Sequence, residues 1–288
     1  MSNSTKIQIL EFIDEMKTIQ EPFLDFIDKE ESSEMDQNYQ DVIKIIQEKK
    51  IREDKYKLFE TLRLISKISQ NHYRSLNFFE KIDKIISILT NDINKHFTNA
   101  EIFHLFKKNK QILFLLFSKQ ILVPDQMIAD TFQTEYYKER FYPDYFYPEF
   151  SNFYDICQTK SRNKDIYSDI QSFNEKRMKG ENDNYICYLI QRDSIEDFVS
   201  FVIKSSISLN SNIHPSIFET NAFLLNQKST SLIEYASFFG SFQIFQFLRI
   251  NKVTLTPSLW RYTVHGNNPE LIHILEEYKI EREDKSYA

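Results

Sequence analysis

The residue types that carry most enzyme chemistry are sparse in this sequence. Its six histidines include the pairs His96 with His104 and His265 with His273, each eight positions apart across a predicted helix boundary. Two ligands on one helix face stand about four positions apart, so we predict no metal site. The three glycines cannot form a P-loop or a dinucleotide-binding turn. We therefore predict no cofactor and no small-molecule substrate.

The two cysteines, Cys157 and Cys187, are the remaining candidate nucleophiles. No residue near either of them in the sequence indicates an activated thiolate, so we predict that the chain has no catalytic residue and is not an enzyme. One alternative stays open, which is a hydrolase or transferase with its site in the N-terminal helical region. That alternative predicts a deep pocket lined by converging titratable groups.

Charge and hydropathy limit the classes of partner and the cellular compartment that the sequence predicts. The net charge of −6 disfavours broad phosphate binding, and we interpret the basic stretch from Lys44 to Lys57 as a solvated helix face rather than a nucleic-acid patch. The longest apolar run, Ile112 to Phe117, is far shorter than the roughly 20 residues that cross a bilayer. Isolated cysteines and the lack of an apolar leader favour a cytoplasmic protein without membrane contact.

The elements that must position any site are helices. Apolar residues recur at three and four positions from Lys6 to about Thr134, and glycine is rare, so we predict an α-helical domain over residues 1–135. Pro22 and Pro124 are predicted to open helices, and Thr98 with Glu101 has the spacing of a capping box.

Residues 136–182 break this pattern. Ten aromatic residues lie between Tyr136 and Tyr154, and Pro143 and Pro148 forbid a continuous helix there. We predict a junction between domains followed by a connector helix. The rings of this stretch suit either packing between domains or a platform that binds a peptide.

The C-terminal third, residues 183–288, contains an internal repeat. Shifts of 46 and 27 positions align three sets of residues, all apolar except Thr263, each at spacings 0, +3, +4, +12, +13 and +16. The sets are Ile186, Leu189, Ile190, Phe198, Val199 and Val202; Leu232, Tyr235, Ala236, Ile244, Phe245 and Leu248; and Leu259, Tyr262, Thr263, Leu271, Ile272 and Leu275. Each set predicts one antiparallel helix pair, and consecutive pairs must stack into a solenoid to bury their ridges.

Turn and cap residues agree with this division. Gly240 and Gly266 suit a left-handed turn inside a pair, and Asn268 with Pro269 suits the start of the following helix. Ser194 is predicted to cap the second helix of the first pair. The acidic residues from Glu276 onward suit a polar cap at the end of the stack.

The segments Thr230-Ser231-Leu232 with Ala236 and Gly240, and Thr256-Pro257-Ser258-Leu259, resemble divergent ankyrin repeats. Together with Ile213 to Asn221, they are similar to the expanded ankyrin-repeat families of protozoan parasites, which carry a helical domain of unknown function before the repeats. The resemblance implies an all-α, helical-repeat solenoid preceded by an α-helical domain. It also implies a non-catalytic scaffold in the cytoplasm that binds another protein, without a cofactor.

In a stack of this kind the short helices line the concave side. Trp260, Arg261 and His265 on the last short helix are therefore the predicted partner-binding residues. The competing interpretation is that Trp260, the only tryptophan, packs between repeats.

Overall fold

The regular structure of this protein is helical. The computed structural model describes residues 3–29, 33–71, 77–153 and 167–281, and within them the β-structure is an isolated antiparallel bridge between Asn212 and Ser231. The prediction of an all-α protein is confirmed. The chain divides into two compact units, residues 1–180 with 220–222, and residues 181–219 with 223–288.

The first unit is a layered set of helices around one apolar core. Its helices are α1 (Asn3–Asp28), α2 (Ser33–Glu48), α3 (Lys55–Asn71), α4 (Phe78–His96), α5 (Asn99–Phe106), α6 (Lys110–Ser118), α7 (Gln126–Phe132), α8 (Glu135–Lys138), α9 (Tyr142–Tyr145), α10 (Tyr147–Phe150) and α11 (Ile170–Lys179). The apolar residues at three- and four-residue spacing face the core, and Leu58, Leu62 and Ile65 of α3 are all buried.

Helix starts in this unit follow the sequence signals unevenly. The capping box of Thr98 and Glu101 is present at the start of α5, as predicted. Pro22 does not open a helix, because it lies inside the continuous helix α1, whose Ile19, Phe23 and Phe26 keep one buried ridge. Pro124 also lies outside a first turn, since α7 begins at Gln126 under a cap from Asp125.

Helices α5 and α6 follow each other and pack together in the first unit. Residues Ile112 to Phe117 of α6 are all buried, so this short helix is enclosed on every side. The aromatic stretch also enters the core of the first unit, where Tyr142, Tyr145, Phe146 and Phe150 are buried. These rings therefore offer no exposed platform for a peptide.

Helix α11 follows the aromatic stretch, where the sequence predicts a connector helix over residues 161–180; residues 161–166 lie outside the described ranges. Arg177 holds α11 against the rest of the first unit. Its guanidinium is almost fully buried, donates to Glu149 Oε2 at 2.8 Å and to the Tyr145 carbonyl at 3.1 Å, and lies 4.1 Å from the centre of the Phe114 ring.

The second unit contains the predicted helix pairs. Helices α12 (Tyr185–Gln191) and α13 (Ile195–Lys204) form the first pair, α15 (Leu232–Phe239) and α16 (Phe242–Ile250) the second, and α17 (Leu259–Gly266) and α18 (Pro269–Glu277) the third; α14 (Ala222–Leu225) is a single turn. The short helices α12, α15 and α17 pack in succession, and α13 packs against α16.

A left-handed residue turns the chain inside each pair. These residues are Asp193, Gly240 and Asn267, with φ of 51°, 67° and 46°. The prediction that Gly266 adopts this conformation is wrong by one residue, because Gly266 is the last residue of α17. Glycine is needed there for another reason: a Cβ would lie 2.1 Å from the carbonyl oxygen of Ser237 in the preceding short helix. Asn268 caps α18 and Pro269 is its first residue, as predicted.

Hydrogen bonds join each turn to the turn of the preceding pair. Ser241 Oγ donates to the Ile190 carbonyl at 2.5 Å, and Asn268 Nδ2 donates to the Gly240 carbonyl at 3.0 Å. The Asp193 carboxylate accepts from the backbone of Gln243 and Ile244 at 2.9 Å, so it caps α16 from the neighbouring pair. Ser194 stands at the predicted cap position of α13 but its side chain makes no capping bond.

The unequal repeat spacing has a structural origin. The connection between α13 and α15 holds an extra segment whose ends meet, since Ile213 N donates to the Thr230 carbonyl at 2.8 Å and Leu232 N to the Ser211 carbonyl at 3.2 Å. The connection between α16 and α17 has no such segment. The first two pairs are therefore 46 positions apart and the last two 27.

Candidate protein-binding surface

The repeat defines equivalent positions on the three short helices. The positions predicted to face the core of the unit are buried in the second pair without exception, at Leu232, Tyr235, Ala236, Ile244, Phe245 and Leu248. In the third pair five of the six are buried and Ile272 is half-buried, and in the first pair Ile186 and Val199 are half-buried while the other four are buried. The sequence register is therefore the structural register, and residues at other positions can be assigned to faces by the same shifts.

One set of equivalent positions forms a polar column along the short helices. Two positions after the first core residue stand Tyr188, Glu234 and Arg261, and each side chain is half-buried. We call these three residues the short-helix column. Its composition is mixed, with an aromatic ring, an acid and a base, and such a mixture suits the rim of a protein interface.

An aromatic cluster extends the column at the first pair. The rings of Tyr185 and Tyr188 stack with centroids 6.2 Å apart, and the Arg192 guanidinium lies 4.6 Å from the centre of the Tyr188 ring. Tyr185 is 53% exposed, so its ring is open to contact. Exposed tyrosine and arginine are the residue types that dominate binding energy in interfaces.

Trp260 lies on a different side of α17 from the column. It is half-buried, and its Nε1 donates to the carbonyl of Ile280 at 2.9 Å. One helical turn later on this side stands Val264, which is 69% exposed. Trp260 is therefore neither fully buried between two repeats nor fully exposed to solvent.

His265 is already in contact with the chain itself. Its ring lies 4.3 Å from the centroid of Phe223 and 5.4 Å from that of Phe238. Phe223 comes from the extra segment between α13 and α15 and stacks on Phe238 at 5.7 Å. The extra segment thus covers the part of the short-helix face where His265 lies.

The three predicted binding residues are therefore divided between two sides of one helix. Arg261 and His265 are one turn apart on the column side, and Trp260 lies with Val264 on the adjoining side. Sequence reasoning missed the cluster of Tyr185, Tyr188 and Arg192, and it missed Val264. Shifting the whole sequence, rather than its apolar positions alone, aligns Tyr188 with Arg261 and would have identified the column.

Buried hydroxyl and thiol groups lie behind the column. Burial raises the pKa of the Cys187 thiol to about 12, with the nearby Glu219 carboxylate adding to the effect. Burial also raises the pKa of Tyr235, whose hydroxyl accepts from Gln191 Nε2 at 2.9 Å. A thiol with this pKa is protonated at neutral pH, which weighs against Cys187 as a nucleophile. Cys157 lies outside the described residues.

The basic stretch of the first unit is largely neutralised by acids. Four of its cations form ion pairs, Lys44 with Glu48, Arg52 with Asp92, Lys55 with Glu101 and Lys57 with Glu15. The hydrogen bond from Lys55, followed by that from the Thr98 backbone, lowers the pKa of Glu101 to about 2, so this carboxylate stays charged. A cation that is paired with an acid adds little to the positive surface potential that attracts phosphates, in line with a solvated helix face.

A groove between α1 and α2 is the kind of opening in which the enzymatic alternative would need its site. It is lined by Glu21, Asp25, Asp41 and Lys44 among others, and it is open to solvent. The enzymatic alternative predicts a deep, enclosed pocket, whereas this groove is open to solvent. In the described part of the chain, no three histidine, cysteine, aspartate or glutamate side chains are grouped so that they could hold a metal ion.

Comparisons with known proteins gave no relative. No protein-family model matches the chain, and neither a curated protein nor a solved structure matches it. The resemblance to ankyrin repeats therefore depends on the residues of this chain alone. Among the described helices, none combines the length and the apolar composition that crossing a membrane requires.

Proposed function

We propose that this chain is a non-catalytic scaffold that binds another protein through its second unit. The observation that carries the proposal is the recurrence of one helix pair three times, with a left-handed turn inside each pair and hydrogen bonds from turn to turn. Repeats of this kind each contact only their neighbours, and together they create an extended surface that a partner can bind.

The proposal includes a divergent ankyrin-like solenoid of the protozoan-parasite type. Its support is the pattern of Thr230, Ser231 and Leu232 with Gly240, and the capping box by which Ser231 and Glu234 start α15. A cytoplasmic setting, and a partner that is neither nucleic acid nor membrane, belong to the same proposal. Their support is the isolated thiols and the acid-paired basic stretch.

The binding surface in this proposal is the short-helix column, with Tyr185 and Arg192 beside it. Arg261 is its basic end and Glu234 its acidic middle, so a partner must present charges in the opposite order. Glu234 also accepts from Ser258 Oγ at 2.6 Å, which holds its carboxylate in place. Charge order of this kind sets specificity and register more than total affinity.

Co-purification from the native cell tests the proposal. Tagged wild-type chain and the variants Arg261→Glu and Lys204→Glu are recovered in parallel with a tag-only bait. Lys204 is exposed at the end of the long helix α13 and is not a residue of the column, so Lys204→Glu makes the same charge change outside the proposed surface. We expect proteins that wild type and Lys204→Glu recover alike and that Arg261→Glu loses. Recovery of nothing above the tag-only bait, or equal recovery by all three chains, contradicts the proposal.

A further inference from the structure

The groove between α1 and α2 is long and mostly polar. Its walls are one stripe of each helix, from Thr18 to Asp25 on α1 and from Asn38 to Glu48 on α2. At 1.5 Å per residue the two stripes are about 10 and 15 Å long. The groove has a volume of about 330 Å³, and all of its lining residues belong to the first unit. It therefore shares no residue with the short-helix column.

Acids outnumber bases on the walls of this groove. The four acids among its lining residues are Glu21, Asp25, Asp41 and Glu48, and the base is Lys44. Lys44 lies 3.8 Å from Glu48, so these two charges largely offset each other. The other three carboxylates give the groove a negative potential. They are spread along both helices, and no three histidine, cysteine or acidic side chains of the described residues are grouped for a metal ion.

Two of these carboxylates have partners that a ligand can replace. Asp25 pairs with Lys29 at 3.4 Å, and Asp41 accepts from Gln37 Nε2 at 3.1 Å. Both contacts lie at the surface, where an interaction between two long side chains contributes little to stability. A cation that enters the groove therefore has little to displace.

Asn38 is the residue that points to a ligand. It lines the groove, but it is only 8% exposed, and its Nδ2 has no hydrogen-bond partner in the described part of the chain. A buried amide donor without an acceptor lowers stability, whereas an apolar side chain of the same size does not. A ligand that brings a hydrogen-bond acceptor into the groove would satisfy this donor.

Pro22 adds a backbone acceptor on the wall formed by α1. Proline has no N–H, so the helix bond from residue 22 to the Thr18 carbonyl is missing, and both residues line the groove. The groove therefore combines carboxylate and carbonyl acceptors with the amide donor of Asn38. A ligand that matches it carries several cations and at least one carbonyl group.

We propose that this groove binds an extended segment of a partner protein that is rich in lysine and arginine. Successive side chains of an extended chain point to opposite sides, so neighbouring cations reach the acids of α1 and of α2 in turn. A backbone carbonyl of the segment accepts from Asn38 Nδ2. At about 3.3 Å per residue, about four or five residues fill the longer stripe. A linear polyamine matches the acids equally well but brings no acceptor for Asn38.

Two probes of equal charge separate recognition of a peptide from attraction of any cation. They are tetralysine with blocked termini and spermine, each with about four positive charges at neutral pH. Only the peptide has backbone carbonyls. In calorimetric titrations of the full chain we expect saturable binding of tetralysine. Its affinity should be about fivefold or more above that of spermine, the difference that one added hydrogen bond makes.

Asn38→Leu tests the amide directly. Leucine is close in size and removes the donor without removing a partner, so the urea midpoint should equal that of wild type or exceed it. Tetralysine should bind about fivefold more weakly, whereas the affinity for spermine should change by less than about twofold. A lower midpoint together with equal losses for both probes would assign Asn38 a structural role and overturn the recognition proposed for it.

Glu21→Lys tests the groove, with Glu53→Lys as its matched control. Both glutamates are exposed and both variants make the same charge change, but Glu53 does not line the groove. We expect Glu21→Lys to weaken tetralysine binding about tenfold or more in low salt, and Glu53→Lys to weaken it less than about threefold. Circular dichroism establishes that each variant folds.

Three further results overturn the inference. The first is a lack of saturable tetralysine binding by the wild-type chain. The second is equal affinity for tetralysine and spermine, which leaves charge alone as the cause of binding. The third is equal loss in Glu21→Lys and Glu53→Lys, which means that the peptide binds outside the groove. The proposed function uses the second unit and is tested by Arg261→Glu, so it stands or fails independently of these results.

Discussion

At the scale of single residues, the most constrained position in the second unit is Gly266. A Cβ at this position would meet the Ser237 carbonyl at 2.1 Å, and a backbone atom inside a packed helix cannot move aside. We expect Gly266→Ala to lower the free energy of unfolding by about 1–3 kcal/mol, the usual range for overpacking. Urea unfolding followed by the Trp260 fluorescence measures it.

The neighbouring residue provides a control of opposite sign. Asn267 has a φ of 46°, so Asn267→Gly removes a backbone strain without adding an atom. We expect this variant to be as stable as wild type or more stable by up to about 1 kcal/mol. If Gly266→Ala is also neutral, α17 and α15 are not in the close contact on which the repeat depends.

In the first unit, the residue on which we expect stability to depend most is Arg177, which is buried and ion-paired with Glu149. Breaking a buried ion pair from one side leaves a charge without its partner, so Arg177→Ala should lower the free energy of unfolding by about 3–5 kcal/mol. The double variant Arg177→Met with Glu149→Leu should recover most of this loss, since no charge then remains unpaired. Chemical denaturation measures both, with Met178→Ala, at an exposed position, as the control. If the double variant is no more stable than Arg177→Ala, the loss of stability comes from packing and not from an unpaired charge.

At the scale of elements, helix starts differ in whether the N-cap side chain makes a hydrogen bond to the backbone of the first turn. Ser231 accepts from Glu234 N while the Glu234 carboxylate accepts from Ser231 N at 2.8 Å, whereas the side chain of Ser194 makes no capping bond. We expect Ser231→Ala to lower the free energy of unfolding by about 1 kcal/mol and Ser194→Ala to change it by less than about 0.3 kcal/mol. Equal losses in denaturant titrations would show that cap geometry is not what stabilises these helices.

The helices and the repeat register could be predicted from the sequence because they depend on local periodicity. Leu232, Tyr235 and Ala236 keep helical spacing, and Leu259, Tyr262 and Thr263 at the same positions of the next pair are buried as well. The capping box at Thr98 is equally local. What local rules could not supply was the role of Pro22, since a buried ridge on both sides of it outweighs the lost backbone bond.

The candidate surface was only partly predictable, because it depends on contacts between distant residues. Nothing near His265 in the sequence indicates that Phe223 stacks on its ring. The exposure of Val264 depends on the lack of a covering helix among the described residues, and a single residue carries no sign of that. Gly266 was recognised as special but for the wrong reason, since its role is set by Ser237 of another helix.

At the scale of the whole molecule, stability should fall at alkaline pH, because thiol and tyrosine hydroxyl groups with raised pKa are buried in both units. Burial raises the pKa of Cys187 and of Tyr262 to about 12, and of Tyr137 to about 12 in the first unit. In each case the unfolded group ionises at a lower pH than the folded one, so the folded chain retains protons that the unfolded chain loses. The free energy of unfolding must therefore fall as pH rises.

For Cys187 the window runs from 9.0, the ordinary pKa of the thiol, to about 12. Within it, one such group lowers the free energy of unfolding by at most about 1.4 kcal/mol per pH unit, and below it the group has no effect. Urea titrations between about pH 8 and pH 10.5, compared for wild type and Cys187→Ala, measure this slope. The variant should lose stability at every pH from the cavity it creates, but its decline above about pH 9 should be shallower. Parallel declines in the two chains would mean that Cys187 ionises as readily in the folded protein as in the unfolded chain, and that its burial in the first helix pair is incomplete.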